Sequence, residues 1–154
     1  MADKKINILY VDDEENNLMS FKATFRIKYN VFTAVSADDA MTLLESKPIE
    51  VIITDQRMPK TTGVEFLEKV VEKYIEPMRI LLTGYADMNA LVDAVNKGKI
   101  FHYLRKPWNE EELAMTIERA YEVYKKNKEV KEMNEKLGVS NDQLEFMLRQ
   151  KLLS

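Results

Sequence analysis

Apolar residues along the chain fall into two alternating kinds of pattern. Short runs occur at Ile6-Asn7-Ile8-Leu9-Tyr10-Val11, Val31-Phe32-Thr33-Ala34-Val35, Val51-Ile52-Ile53, Ile80-Leu81-Leu82 and Phe101-His102-Tyr103-Leu104. Several are continuous, which is how strands read when both faces of a parallel sheet are covered. Between them, apolar positions recur at helical spacing. Leu18, Phe21 and Phe25 form one such face, and Ala40, Leu43 and Leu44 follow Ser36, an N-cap candidate with Asp39 three residues on. Val64, Leu67, Val71 and Tyr74 follow Gly63; Leu91, Ala94 and Val95 form a fourth face, and Leu113, Ile117, Ala120 and Tyr124 a fifth.

Five strands, each followed by a helix, predict an α/β fold. With short connections and right-handed crossovers it is a doubly wound (βα)5 parallel sheet, flavodoxin-like in strand order 2-1-3-4-5. A (βα)8 barrel needs more units than the chain holds. This unit takes residues 1–124, and residues 125–154 read as a helical extension. Val123, Val130, Leu137 and Leu144 fall seven apart, with Met133 and Met147 three beyond two of them, as in a coiled-coil seam. Lys126 and Ser140 interrupt the stripe. Gly138 followed by Ser140-Asn141-Asp142-Gln143 reads as a helix stop and a new N-cap, giving one bent helix or two short ones. A solvated linker and a dimerising helix both stay open, as does continuation toward an output domain beyond Leu152-Leu153-Ser154.

Composition narrows the chemistry. Of 154 residues, 45% are hydrophobic and 32% charged, enough for an ordinary core without staples. There is no cysteine, which excludes disulfides and thiolate chemistry, and the single histidine, His102, excludes a site needing two imidazoles. No run approaches the roughly 18 apolar residues of a membrane span, and the start of the chain is too short for a signal-peptide core, so a cytoplasmic location is expected. The net charge of −3 divides into about +2 from Lys125 onward and −5 before it, which does not suggest nucleic acid as a direct partner.

The candidate chemistry lies at strand ends. The first strand ends in Asp12-Asp13 and the third in Asp55, and in an open α/β sheet these are neighbours at the ligand-binding edge. Carboxylates brought that close repel unless a hard cation such as Mg²⁺ answers them. A metal there also makes Asp55 a usable nucleophile toward phosphorus. Thr83-Gly84 ends the fourth strand with a hydroxyl donor, and Lys106-Pro107 follows the fifth with a cation.

In order and spacing, Asp12-Asp13, Thr54-Asp55-Gln56-Arg57-Met58-Pro59, Thr83-Gly84 and Lys106-Pro107 resemble the receiver domain of two-component response regulators, over about residues 5–126. The resemblance implies a CheY-like fold and a Mg²⁺ ion held by Asp12, Asp13, Asp55 and the backbone carbonyl of Arg57. It implies that Asp55 accepts a phosphoryl group from a histidine kinase or a phosphotransfer protein. Thr83 and Lys106 would bind that group, Tyr103 would be the aromatic switch residue, and the Lys106–Pro107 bond would be cis. The implied role is a phosphorelay switch and not a classical enzyme. A homodimer through the fourth helix, fifth strand and fifth helix, extended by the C-terminal helix, is an expected partner state. The text Leu82-Thr83-Gly84-Tyr85-Ala86-Asp87 and Phe101–Trp108 also resembles receivers fused to HD-GYP phosphodiesterases or other enzymatic outputs. Two rivals accompany this reading. One is a pseudo-receiver scaffold that is never phosphorylated. The other is an aspartyl phosphatase, which the presence of Arg57 two residues after Asp55 disfavours.

Overall fold

The structure, a computed structural model, describes residues 4–84, 88–137 and 150, with the side chains of 88–90 outside that description. Its elements alternate as the hydrophobic pattern predicts. The strands are β1 (Asn7–Val11), β2 (Asn30–Ala34), β3 (Val51–Asp55), β4 (Met78–Thr83) and β5 (His102–Arg105). The helices are α1 (Glu15–Phe25), α2 (Ala37–Ser46), α3 (Gly63–Lys73), α4 (Met88–Asn96) and α5 (Glu110–Leu137). The sheet is wholly parallel in the order β2-β1-β3-β4-β5. This is the doubly wound, CheY-like arrangement, with β1 and β3 side by side at the switch point.

Alternation along the strands builds two cores. Ile8, Tyr10, Val51, Ile53, Ile80 and Leu82 point to one face and pack against α1 and α5. Leu9, Val11, Ile52 and Leu81 point to the other and pack against α2, α3 and α4. Because β1, β3 and β4 are covered on both sides, every residue in them is buried. The edge strand β5 alternates instead, with His102 and Arg105 exposed. Aromatic rings fill the α1–α5 side. Tyr10 stacks on Phe21 at 4.1 Å between centroids, and Trp108 lies 6.0 Å from Phe21 and 5.6 Å from Phe25. The residue that follows Lys106-Pro107 is thereby wedged against α1.

The helix termini follow local chemistry. Ser36 accepts a hydrogen bond from the Asp39 amide, and Thr62 and Glu65 form a reciprocal capping box ahead of α3. The α3 face differs from the sequence pattern: Phe66 and Val70 are fully buried beside Val64 and Leu67, while Val71 is only half-buried. The apolar stripe of α3 is therefore wider than a single i, i+3, i+7 line, because the helix packs on the sheet and beside α4. Along α5, Leu113, Ile117, Ala120 and Tyr124 are buried as the spacing predicts, and the helix continues without a break through Leu137. Val130, Met133 and Leu137 of the heptad stripe are exposed at 38%, 58% and 60%. The predicted stop at Gly138, the cap at Ser140–Gln143 and the stripe positions Leu144 and Met147 lie outside the described residues.

One close approach fixes the active end of the sheet. A Cβ on Gly63 would lie 2.4 Å from the carbonyl oxygen of Asp55 and 2.6 Å from Leu81 Cδ1, so only glycine lets α3 start so near β3. Replacing Gly63 with alanine is expected to cost about 1–3 kcal/mol as overpacking. Urea unfolding should show it as a lower midpoint at unchanged slope; an unchanged midpoint would mean that the backbone here yields freely.

Candidate functional site

Strand register brings the predicted residues together. Val11 pairs with Thr54, so Asp12 and Asp55, each one residue further on, emerge side by side. Asp55 pairs with Leu82 and Thr83 with Arg105, which puts Thr83 and Lys106 at the same edge. Carboxylate oxygens of Asp12, Asp13 and Asp55 lie within 4.8 Å of one another. Asp12 is fully buried, Asp55 is 7% exposed, and Asp13 faces solvent. Unit charges at that separation repel by roughly 3–4 kcal/mol at an effective dielectric near 20.

Neighbouring donors answer part of this repulsion. The Lys106 ammonium donates to Asp55 Oδ1 at 3.3 Å and lies 3.9 Å from Asp12 Oδ2. Asp12 Oδ2 also accepts from the Tyr10 hydroxyl at 2.9 Å and from Asn17 Nδ2 at 3.1 Å, while Oδ1 accepts the Glu14 amide at 3.0 Å. Burial, reinforced by the charge of Asp12, drives the Tyr10 hydroxyl far above its ordinary pKa, so it stays a donor. Asp55 is less well served. Burial pushes its pKa up, the charge of Asp12 adds to that, and Lys106 pulls against both without prevailing.

An open pocket of about 400 Å³ lies over this edge, lined by Asp13, Glu14, Asp55, Arg57, Gly84 and Lys106. The buried Thr83 Oγ1 has no hydrogen-bond partner among the described residues. A buried unpaired hydroxyl costs free energy unless something outside the protein completes it. The all-oxygen acidic set fits a hard divalent cation, and the orphan hydroxyl with the lysine ammonium fits a phosphate-like oxyanion. The Lys106–Pro107 bond is cis. Tyr103 is half-buried, packs toward the α2–α3–α4 core and stacks beside His102 at 6.0 Å. It is not among the residues that line the pocket over the acidic cluster.

Sequence reasoning missed the residues that hold the site. Tyr10 lies two positions before Asp12, on a strand that reads only as core, and Asn17 lies one turn into a helix whose apolar face took precedence. Gln56 is a tie as well: its amide donates to Leu82 O, its carbonyl accepts the Gly63 amide, and its side-chain Oε1 accepts the Val64 amide at 2.9 Å. A strand-end acid followed by an amide side chain and then a glycine-started helix is the signal that could have found it.

Residues 8–118 match the family described as response regulator receiver domain. Over all 154 residues the chain is 37% identical to the hydrogenase transcriptional regulatory protein HoxA of Cupriavidus necator, of which it covers 32%. It spans about a quarter to a third of the length of the curated relatives it matches. Among solved structures it is similar to a response regulator receiver domain protein from Clostridium thermocellum. The identity is 32%, with 78% of this chain and 97% of that one covered, at a TM-score of 0.73. It is also similar to the signal receiver domain of an HD domain-containing protein from Pseudomonas fluorescens. There the identity is 30%, the coverage 84% and 96%, and the TM-score 0.76.

The raised pKa of Asp55 has a consequence for stability. Folding favours its protonated form, so its ionisation costs stability at neutral pH. That cost shrinks as pH falls through the raised folded-state pKa and is gone below the ordinary carboxylate value of about 4. Without divalent metal, Asp55→Asn is therefore expected to melt above wild type at pH 7, with the gap closing on acidification. Circular dichroism melts in a chelating buffer measure this. A lower melting point for the variant at pH 7 would mean that pairing with Lys106 outweighs burial.

Proposed function

The chain belongs to the response regulator receiver domain family, and from that premise we propose that Asp55 is the phosphoryl acceptor of a Mg²⁺-dependent phosphorelay switch. The observation that carries this reading is the meeting of Asp12, Asp13, Asp55, Thr83 and Lys106 at one sheet edge, with Thr83 Oγ1 buried and unpaired. Asp12, Asp13, Asp55 and the backbone carbonyl of Arg57 would hold the ion. When bound, Mg²⁺ neutralises the carboxylate excess and the charge on the incoming phosphoryl oxygens.

The protein's own groups supply the rest. An Asp55 carboxylate oxygen forms the new P–O bond as the P–N bond to a phosphohistidine donor breaks, its electron pair leaving with the imidazole, which takes up a proton. Lys106, already 3.3 Å from Asp55, offsets charge on the oxygens of the transferred group. Thr83 donates its hydroxyl to one of those oxygens and gains the partner it lacks. The histidine kinase or phosphotransfer protein is the donor in this reading.

Drawing Thr83 toward the phosphoryl group shifts a pre-existing two-state equilibrium of the domain, and Tyr103 follows it. The face of α4, β5 and α5 then changes its contacts. A second copy pairing along Val123, Val130, Met133 and Leu137 is the partner that the heptad stripe supports. HoxA is a hydrogenase transcriptional regulatory protein. That supports a transcriptional output rather than the HD-type output that the wider sequence resemblance suggests. The phosphoryl-independent scaffold is not favoured, since the acidic group, the threonine and the lysine are all in place.

Incubation with Mg²⁺ and acetyl phosphate should place one acid-labile phosphoryl group on the wild-type chain, seen by intact mass, and none on Asp55→Asn. Lys106→Ala or Thr83→Ala should slow labelling on the order of 10²-fold, as for loss of one charge-stabilising donor. Chelation of the metal should abolish it. Labelling of Asp55→Asn at the wild-type rate would exclude the proposal.

A further inference from the structure

At the opposite edge of the sheet, Arg79 near the start of β4 is 8% exposed and has no carboxylate partner among the described residues. Its guanidinium is spent on main-chain carbonyls from two connections. Nε donates to Lys99 O at 2.8 Å and Nη2 to Gly98 O at 3.1 Å; Nη1 donates to Pro77 O at 2.7 Å and to Ile75 O at 3.3 Å. Gly98 and Lys99 terminate α4. Gly98 has φ +74°, and the Lys99 amide returns to Ala94 O, the left-handed turn that closes a helix. Ile75 and Pro77 flank Glu76 in the connection from α3 to β4. The Glu76 carboxylate in turn accepts from Lys131 Nζ at 2.6 Å, seven residues past Tyr124, where burial along α5 ends. Lys131 accordingly holds the Glu76 carboxyl below its usual range.

These contacts form a continuous line from the end of α4 to the outgoing part of α5. Its two ends differ in kind. A planar guanidinium with four of its five N–H groups committed in a buried site cannot follow one connection and leave the other without stranding charged donors, so it moves both or neither. The Glu76–Lys131 pair is half-exposed on both sides, and such pairs are weak and easily exchanged for water. A stiff hub ending in a labile clasp suits a relay whose last contact is meant to open.

We propose that Arg79 is a positioning residue that carries a displacement of the α4 terminus, through Glu76 and Lys131, to the outgoing segment of α5. This inference rests on the reading of Asp55 as phosphoryl acceptor. It adds a route at the end of the strands opposite the acidic cluster, on the sheet face that Tyr103 shares, and it fixes which side of the extension turns toward the domain. Tyr124, Lys128 and Lys131 line the pocket beside the α3–β4 connection. Val123, Val130 and Leu137 lie round the helix from these, on average about 130° about the axis at 3.6 residues per turn.

The test reads amide hydrogen exchange of residues 128–137 with Mg²⁺ alone and with Mg²⁺ plus beryllofluoride, while fluorine NMR reports occupancy at Asp55. In the wild-type chain, beryllofluoride is expected to change exchange of this segment by about fivefold, the low end of ordinary coupling between sites. Arg79→Met should keep the fluorine signal and lose that response. Glu76→Gln, an exposed change that cuts only the last link, should do the same and decides the matter if Arg79→Met fails to fold. A full exchange response in Glu76→Gln, or in folded Arg79→Met, with beryllofluoride bound would overturn the relay alone. Bound beryllofluoride with no exchange response in wild type would do so too. No fluorine signal on the wild-type chain would overturn the phosphoryl-acceptor reading, and the relay with it.

Discussion

Three carboxylates share a volume in which their oxygens lie within 4.8 Å of one another, and the carboxyl edge of the sheet is organised around that repulsion. Each acid is handled differently. Asp12, fully buried, is tied by a tyrosine hydroxyl, an asparagine amide and a backbone amide. Asp13 stays in water, where its charge is cheap. Asp55 has Lys106 and little else, and it is the one whose pKa is pushed up. A buried carboxylate with incomplete compensation is poised for anything that brings positive charge or new donors. The receiver family's chemistry supplies both in a metal ion and a phosphoryl group.

That imbalance is sustainable because the frame beneath it is rigid. The strands that deliver Asp12, Asp55 and Thr83 are buried on both faces, and the register that aligns them cannot slip by one residue without turning each strand inside out. The approach of Gly63 to the Asp55 carbonyl, with the three hydrogen bonds of Gln56, pins the connection to α3 from above. Trp108, packed against Phe21 and Phe25, holds the segment after Lys106-Pro107 against α1. Pre-organisation of this kind lets a small cluster act without first paying to order itself.

The opposite edge carries no such tension in its acids, and its organisation is mechanical. Arg79 gathers four carbonyls, and Glu50 accepts both the Asn7 amide and Lys4. The helix that leaves the domain passes over this edge with its outer apolar positions uncovered. The acidic cluster and the outgoing part of α5 thus sit at opposite ends of the same strands.

Much of this was legible in the residues alone. The alternation of short apolar runs with stripes of period 3.6 identified all five strand–helix pairs, because burial on both faces of a parallel sheet leaves a continuous apolar run. The strand-end Asp12, Asp13, Asp55, Thr83 and Lys106 were legible because a sheet edge is where polar residues interrupt those runs. Other features were decided only by tertiary structure. The side chains of Tyr10, Asn17 and Gln56 act through partners two to eight residues away, and their types are equally at home in a core or a turn. The width of the α3 stripe followed from what packs on it, not from spacing. Gly63 looked like one of four scattered glycines until the Asp55 carbonyl lay 2.4 Å from where its Cβ would be. Arg79 stands in the sequence as a lone charge before an apolar run, and only the four carbonyls it meets from two connections account for it. A sequence records which groups a chain carries and their period; which of them meet is set by register and packing.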